Sequence, residues 1–325
     1  MDLPLEPTMK FGVQTIHRRS EPGVGAWVPE PEDARELVEQ IEGLGYDSLW
    51  VGDHIAFAIP ILDPLLQIAQ AAAFSKSLTF GTGIYLVPLR HPGPIAKQVS
   101  TLDHLTRGRL IFGVGVGGEF ASDYAVSGVP LKERGARLTE SLEVLAKLWS
   151  GETVSHDGRF FSFSDITMQP PPRQPGGPPV WCGGRSDAAL ERTGRMAHGW
   201  ISYVVTPDMY RDALEKIARA VEGAKRDLAS FGTGHLLFLR VDDDYDSAFE
   251  AANKALSTRY AMDFTHATKK YAAIGRPEDV AERLHTFYRA GLRHVVLDFV
   301  GPYEDRDRQI ERFAKEVRPL LSGLA

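Results

Sequence analysis

The chain has 325 residues, of which 43% are hydrophobic and 25% charged, with a formal net charge of −6. That length and apolar share are enough to bury a large core in a single domain, and no tract is polar enough to resist folding. The acidic balance, with no run of Lys and Arg longer than two, argues against nucleic acid or an anionic membrane surface as the main partner, because both need a basic patch.

The single cysteine, Cys182, excludes an internal disulfide and fits a reducing cytoplasm. No apolar segment reaches the ~18 residues of a membrane span, and the stretch before Lys10 lacks the apolar region of a signal peptide. Residues 1 to 8 read as a loose extension, followed by one domain over residues 9 to 325.

Lys10 to Thr15 reads as a first strand, and the Gly- and Pro-rich stretch from Ser20 to Pro31 as a long loop. Pro31-Glu32-Asp33 opens a helix whose Leu37, Val38, Ile41 and Leu44 fall at helical spacing. The second strand, Leu49-Trp50-Val51, is an apolar run of the kind buried on both faces of a parallel sheet, and it ends in Gly52-Asp53-His54. From this hexapeptide alone, a capping Asp53 beside a loop His54 and a pair of active groups are equally good readings.

An apolar helix from Pro60 to Ser75, a strand from Leu78 to Val87 interrupted by Gly81 and Gly83, and a helix opening at His91-Pro92 follow. A fourth strand, Arg109 to Gly115, runs into the densest glycine cluster of the chain, Gly113 to Gly118, and then Glu119. Leu138, Leu142, Leu145 and Trp149 mark an amphipathic helix from Leu131 to Trp149. Phe161, Phe163 and the six prolines between Pro170 and Pro179 indicate an inserted hairpin and a rigid connection over about 151 to 179.

Val180 to Gly184 is a fifth strand, with a helix from Ser186 to Ala197. Strands at Gly199 to Val205, His235 to Val241 and His294 to Val300 complete a count of eight, and the segment before Ala273 fits no regular element. Asp242, Asp243 and Asp244 read as a solvated turn. Helices follow from Pro207 to Leu228, from Pro277 and from Arg306 to Leu321. Eight strands alternating with helices predict an α/β fold, a (β/α)8 TIM barrel with insertions, rather than a doubly wound sheet. In a barrel the strand ends bearing Asp53, His54, Gly83, Ile84, Gly117 to Glu119 and Gly183 to Ser186 converge on one face.

Gly183-Gly184-Arg185-Ser186 at a strand-to-helix junction is the best anion site: glycines admit a close approach, the first helical N–H groups point outward, and Arg185 adds charge. A tight turn with an ordinary serine cap is the plain alternative. The glycines at 113 to 118 have the wrong spacing for a dinucleotide fingerprint and read instead as clearing space for a flat ligand. Asp53, His54 and Glu119 supply titratable groups at two strand ends, with His54 suited to proton transfer near neutral pH. No His-x-His or His-x-x-x-His pair accompanies them, which disfavours a metal. Cys182 reads as a packed thiol, and Trp27, Phe57 and Tyr85 as either pocket lining or plain packing. An aldolase-type barrel is disfavoured because no lysine sits at the C-terminal end of a strand.

Taken in order, five motifs resemble the bacterial luciferase-like superfamily, and more closely its F420-dependent oxidoreductase branch. They are Trp50 to His54; Gly81-Thr82-Gly83-Ile84 with Pro88 to Pro92; Gly113 to Glu119 with Lys132 to Arg137; Gly183 to Ser186 with Gly199-Trp200; and Gly275 to Glu278. The likeness runs nearly the whole length from Lys10. It implies a barrel binding coenzyme F420, or alternatively FMN, at its C-terminal mouth, and a homodimer.

The resemblance implies that Asp53 contacts the cofactor ring and that Gly83-Ile84 carries a non-proline cis peptide supporting the ring from behind. It places Gly117 and Gly118 at the cofactor and the cofactor phosphate at Gly183 to Ser186. His54 and Glu119 resemble the proton-transfer positions of the branch's sugar-phosphate dehydrogenase, although the glycine cluster is one residue longer before Glu119. No set of Lys and Arg suited to a substrate phosphate is recognisable. The expected function is therefore hydride transfer between deazaflavin C5 and an uncharged, partly apolar small molecule, with His54 handling the proton. The alternatives are a two-component monooxygenase using reduced FMN and a non-catalytic relative that keeps only the pocket.

Overall fold

The computed structural model describes residues 3–14, 30–57, 60–118 and 120–324. Eight parallel strands form its centre: β1 (Lys10–Gln14), β2 (Ser48–Val51), β3 (Thr79–Thr82), β4 (Leu110–Gly115), β5 (Val180–Gly183), β6 (Gly199–Tyr203), β7 (Gly232–Val241) and β8 (His294–Phe299). Each strand pairs with the next in chain order, and β8 returns to β1 through Lys10–His294 and Val13–Leu297, which closes the barrel.

The alternation along a strand decides what faces where. On β8, Val295, Leu297 and Phe299 join the core between strands and helices, while Val296 packs inside the barrel with Trp50, Trp181 and Ile201. The Trp50 and Trp181 rings meet at 5.6 Å, and His294 stands edge-on to both. Trp181 fits because a β-carbon on Gly199 or Gly232 would collide with its indole. Polar groups in this layer are paired: His294 Nε2 meets Ser48 Oγ at 2.7 Å, and Trp50 Nε1 donates to the same hydroxyl. The barrel below the mouth is thus filled with side chains.

Several elements differ from the sequence expectations. The third strand stops at Thr82; the chain passes a cis Gly83–Ile84 peptide and resumes as Tyr85–Leu86 paired with Val114 and Gly115. The Leu131 start is a short tight turn, and the α-helix proper is Arg134–Trp149. The inserted strands Thr153–Asp157 and Ser162–Thr167 form an antiparallel hairpin, and the unplaced segment contains a helix, Thr265–Tyr271, and a strand, Ala273–Gly275, parallel to β7. The last helix is α only over Arg306–Arg312 and then changes to a wider and a tighter turn, because Pro319 has no N–H to continue the ladder.

Of the three acids after β7, Asp242 is buried against Arg240, while Asp243 and Asp244 are exposed, as a solvated turn is, with Asp243 reaching Arg312 and Asp244 capping the helix Tyr245–Tyr260. The N-terminal lead-in is pinned. The Pro4 carbonyl accepts from Phe231 N, the Glu6 carbonyl from Arg293, and Met9 N donates to Leu324 O, so its backbone groups are met by the barrel's lower rim. No helix among the described residues is long and apolar enough to cross a membrane.

Candidate active site

A cavity of about 280 Å³ opens at the C-terminal ends of the strands. Asp53, His54, Gly83, Ile84, Gly117, Gly118, Gly183, Gly184 and Arg185 all line it, so one mouth gathers residues spread over 133 positions from 53 to 185.

In the loop after β2, the His54 ring is held at the cavity by Asp123. His54 Nδ1 lies 2.8 Å from Asp123 Oδ2, and Asp123 Oδ1 accepts the N–H groups of Ile55 and Ala56 at 2.8 and 2.7 Å. Burial works to raise the Asp123 carboxyl, but the Ala56 N–H, the His54 ring and the Ile55 N–H outweigh it and hold the group below its ordinary value. An ionised carboxylate only accepts, so His54 Nδ1 carries the hydrogen and Nε2 is left for the cavity. Phe57 stacks on the imidazole at 4.4 Å, and Phe120 meets it edge-on at 5.3 Å.

Asp53 is fully buried and accepts a two-pronged hydrogen bond from Arg90, at 2.6 and 2.9 Å, plus the N–H of Leu86 at 2.9 Å. Burial alone would lower the Arg90 guanidinium; the Asp53 hydrogen bonds and charge push it above its usual value. Arg90 also covers the Tyr85 ring at 4.4 Å. The Gly83–Ile84 cis bond lies in the segment between Thr82 and this Leu86 anchor.

Gly115 has a different task from the one expected of it. A β-carbon there would run into Ile84, and one on Gly113 into the Thr82 carbonyl, so these two glycines admit the protein's own chain. Gly117 and Gly118, at φ 58° and 106°, are the ones that line the cavity. Gly184, at φ 106°, turns the chain from β5 into the helix Asp187–Met196, whose cap is Ser186 Oγ accepting from Ala189 N. Arg185 Nη1 donates to Val204 O at 2.8 Å, which fixes the guanidinium across the end of β6.

The wall facing the glycine cluster carries a second buried pair. Arg259 Nη1 donates to Asp298 Oδ2 at 2.7 Å, and Asp298 lines the cavity alongside Tyr260, whose hydroxyl meets that of Tyr203.

Phe57 lines the cavity, whereas Tyr85 is buried against Phe112. Glu119 and Trp27, also singled out from sequence, lie outside the described residues. Cys182 is fully buried, its thiol pushed up to about 12 by burial, as a packed thiol is. Asp123, Asp298 and Tyr260 were not foreseen. Asp123 had a faint signal, an acid in the first turn of a short helix just beyond the glycine cluster.

The family described as luciferase-like monooxygenase matches residues 9–294. The chain belongs to that family. As a luciferase-like protein it is an oxidoreductase. An F420-dependent glucose-6-phosphate dehydrogenase from Amycolatopsis mediterranei (strain U-32) is 27% identical to it over 326 residues, covering 90% of this chain and 96% of the relative. Two solved luciferase-like folds superpose along 96% of it and 99% of their own chains. They are monooxygenase RslO1 from Streptomyces bottropensis (TM-score 0.83, 23% identity) and a coenzyme F420 dependent tetrahydromethanopterin reductase from Methanopyrus kandleri (TM-score 0.77, 20% identity).

Proposed function

We propose that this luciferase-like protein is an F420-dependent oxidoreductase that passes hydride between the deazaflavin and an uncharged, partly apolar small molecule. The observation that carries the reading is that His54, fixed by Asp123, opens on the same cavity as the glycine turn at Gly183-Gly184 and the cis Gly83–Ile84 segment. The F420-dependent relatives support that cofactor over FMN.

The residues present fit a flat ring with a phosphorylated arm. Backbone without side chains faces the cavity at Gly52, Gly83, Gly117, Gly118, Gly183 and Gly184, and the outward N–H groups of the helix after Ser186 suit an anion. When bound, coenzyme F420 supplies hydride acceptance or donation at C5. In this reading Asp53, held by Arg90, contacts the ring edge, and Gly83-Ile84 backs the ring. Gly117 and Gly118 let it approach, and Gly183, Gly184, Arg185 and Ser186 take the phosphate. His54 Nε2 gives or takes the substrate proton, with Glu119 as a second proton-handling group.

The charges explain the preference for a neutral substrate. Asp53 is offset by Arg90 and Asp298 by Arg259, Arg185 serves the cofactor phosphate in this reading, and no lysine of the described residues lines the cavity. The family resemblance also supports a homodimer, for which the exposed Leu66 and Leu105, on helices that pack together, offer apolar surface.

The test is a titration of the purified protein with F420 and, separately, with FMN, followed by fluorescence. Saturable F420 binding at micromolar concentration is expected. Tight FMN binding with no F420 binding would sink the reading and favour a monooxygenase that uses reduced FMN and oxygen.

A further inference from the structure

We propose that Asp298 is a specificity-determining residue of the substrate half of the cavity, accepting a hydrogen bond from a hydroxyl on a neutral substrate. This rests on the oxidoreductase reading of the cavity and goes beyond it by naming the group that is recognised.

Position comes first. In a closed ring of eight strands, β8 stands opposite β4. The glycines suited to an anionic arm follow β4 and β5, so a residue projecting inward from the end of β8 faces the other half, on the side where His54 follows β2. Asp298 is that residue. It shares the inward parity of Val296, and it lines the cavity while its side chain remains only 5% exposed.

Chemistry comes second. Placing an ion pair in a barrel interior strips both ions of water, and the attraction does little more than offset that, so stability is a poor reason for Arg259–Asp298. Arg259 donates 2.7 Å to Oδ2 and 3.4 Å to Oδ1, which leaves lone pairs on both oxygens. The pair is neutral overall. An anion is therefore not drawn to it, a cation gains little, and a carboxylate that only accepts needs a neutral donor, which a hydroxyl supplies. One strand further round, Gln14 points a buried amide into the same layer, one residue past the Val13–Leu297 pair. Neither amide atom has a hydrogen-bond partner among the described residues. Gln14 is buried beneath the lining; Asp298 itself lies among Ile201, Leu236 and Phe57, so the substrate is an apolar body carrying a hydroxyl besides the carbon that reacts.

The experiment compares cyclohexanol with cis-1,2-cyclohexanediol as probes, using ligand-observed NMR titrations of the full chain with and without F420. The wild-type protein is expected to bind the diol about tenfold more tightly, the scale of one hydrogen bond to a charged group. In Asp298→Leu/Arg259→Met, which leaves neither charge alone, the ratio should fall to about one while F420 fluorescence quenching is retained. Should that variant fail to fold, Asp298→Asn decides: a reduced diol preference supports the proposal and an unchanged one overturns it. A diol preference that survives in the double variant, or its absence from the wild-type protein, including failure to bind the diol, also overturns it. Loss of F420 binding alone, with the diol preference intact, defeats the cofactor assignment and leaves this proposal standing.

Discussion

Asp123 holds His54 with one carboxylate oxygen, 2.8 Å from Nδ1, and the two N–H groups that follow His54 with the other. A single side chain therefore sets both the tautomer of the imidazole and the path of the loop that carries it. If His54 handles the proton, His54→Ala should lower kcat by about 10²- to 10⁴-fold. Asp123→Asn should lower it by about tenfold or more and change the pH profile, with little change in F420 affinity. Steady-state rates across pH, with circular dichroism to confirm folding, check this. Equal rates for Asp123→Asn and wild type at every pH would show that the contact only shapes the loop.

The Asp53–Arg90 pair predicts a non-additive pair of substitutions. Arg90→Met strands a buried carboxylate and should destabilise by about 3–5 kcal/mol. Adding Asp53→Asn to it should recover a large part of that loss. Denaturant unfolding of the two single variants and the double closes the cycle.

Two buried histidines make stability depend on pH. Burial is the main cause that brings His235 and His294 from 6.5 to about 3. Both are neutral when folded, so their contribution is complete above pH 6.5 and is lost progressively as the pH falls from 6.5 toward 3, where the unfolded chain binds protons that the folded chain refuses. The slope reaches at most about 1.4 kcal/mol per pH unit for each histidine. Urea unfolding at pH 7.5, 5.5 and 4.5 should show the decline, and His294→Gln should make it shallower. A flat profile contradicts the assignment.

Close approach at Gly115 is testable by a second-site change. Gly115→Ala meets Ile84 and should cost about 1–3 kcal/mol. Ile84→Ala placed in the same chain should make the added methyl tolerable, so the drop in melting temperature of the double variant should be smaller than the sum of the two single drops.

Gln14 is 1% exposed and both its amide atoms lack partners among the described residues. Gln14→Met should raise the stability of the ligand-free protein by about 1–3 kcal/mol, the usual penalty of an unmet buried polar group. A lower melting temperature would mean that the amide is satisfied in solution.

The eight strands are legible in the sequence because each is a compact apolar run, as Leu49-Trp50-Val51 and His294 to Val300 are, and buried parallel strands leave that mark locally. His54 is legible for the same reason, as a titratable residue directly after such a run. Its partner is not, since Asp123 stands 69 residues further on and looks like any acid in a first helical turn. Gly115 misleads in another way. A glycine announces that something comes close without saying what, and here it is Ile84 rather than a ligand. Asp298 is hidden among apolar neighbours, Val295 to Leu297 and Phe299, and only closure of the ring against β1 and β7 shows which side of that strand is interior.

Trp50 and Trp181, wedged together across the barrel axis, have a kinetic consequence. They help fill the barrel beneath the cavity, so whatever enters at the strand ends departs by the same opening. Two molecules in opposite halves of such a blind chamber share one mouth, so each can hinder the exchange of the other. Exchange of one reactant is thus expected to slow when the other is bound, a consequence of two indole rings that do not line the cavity themselves.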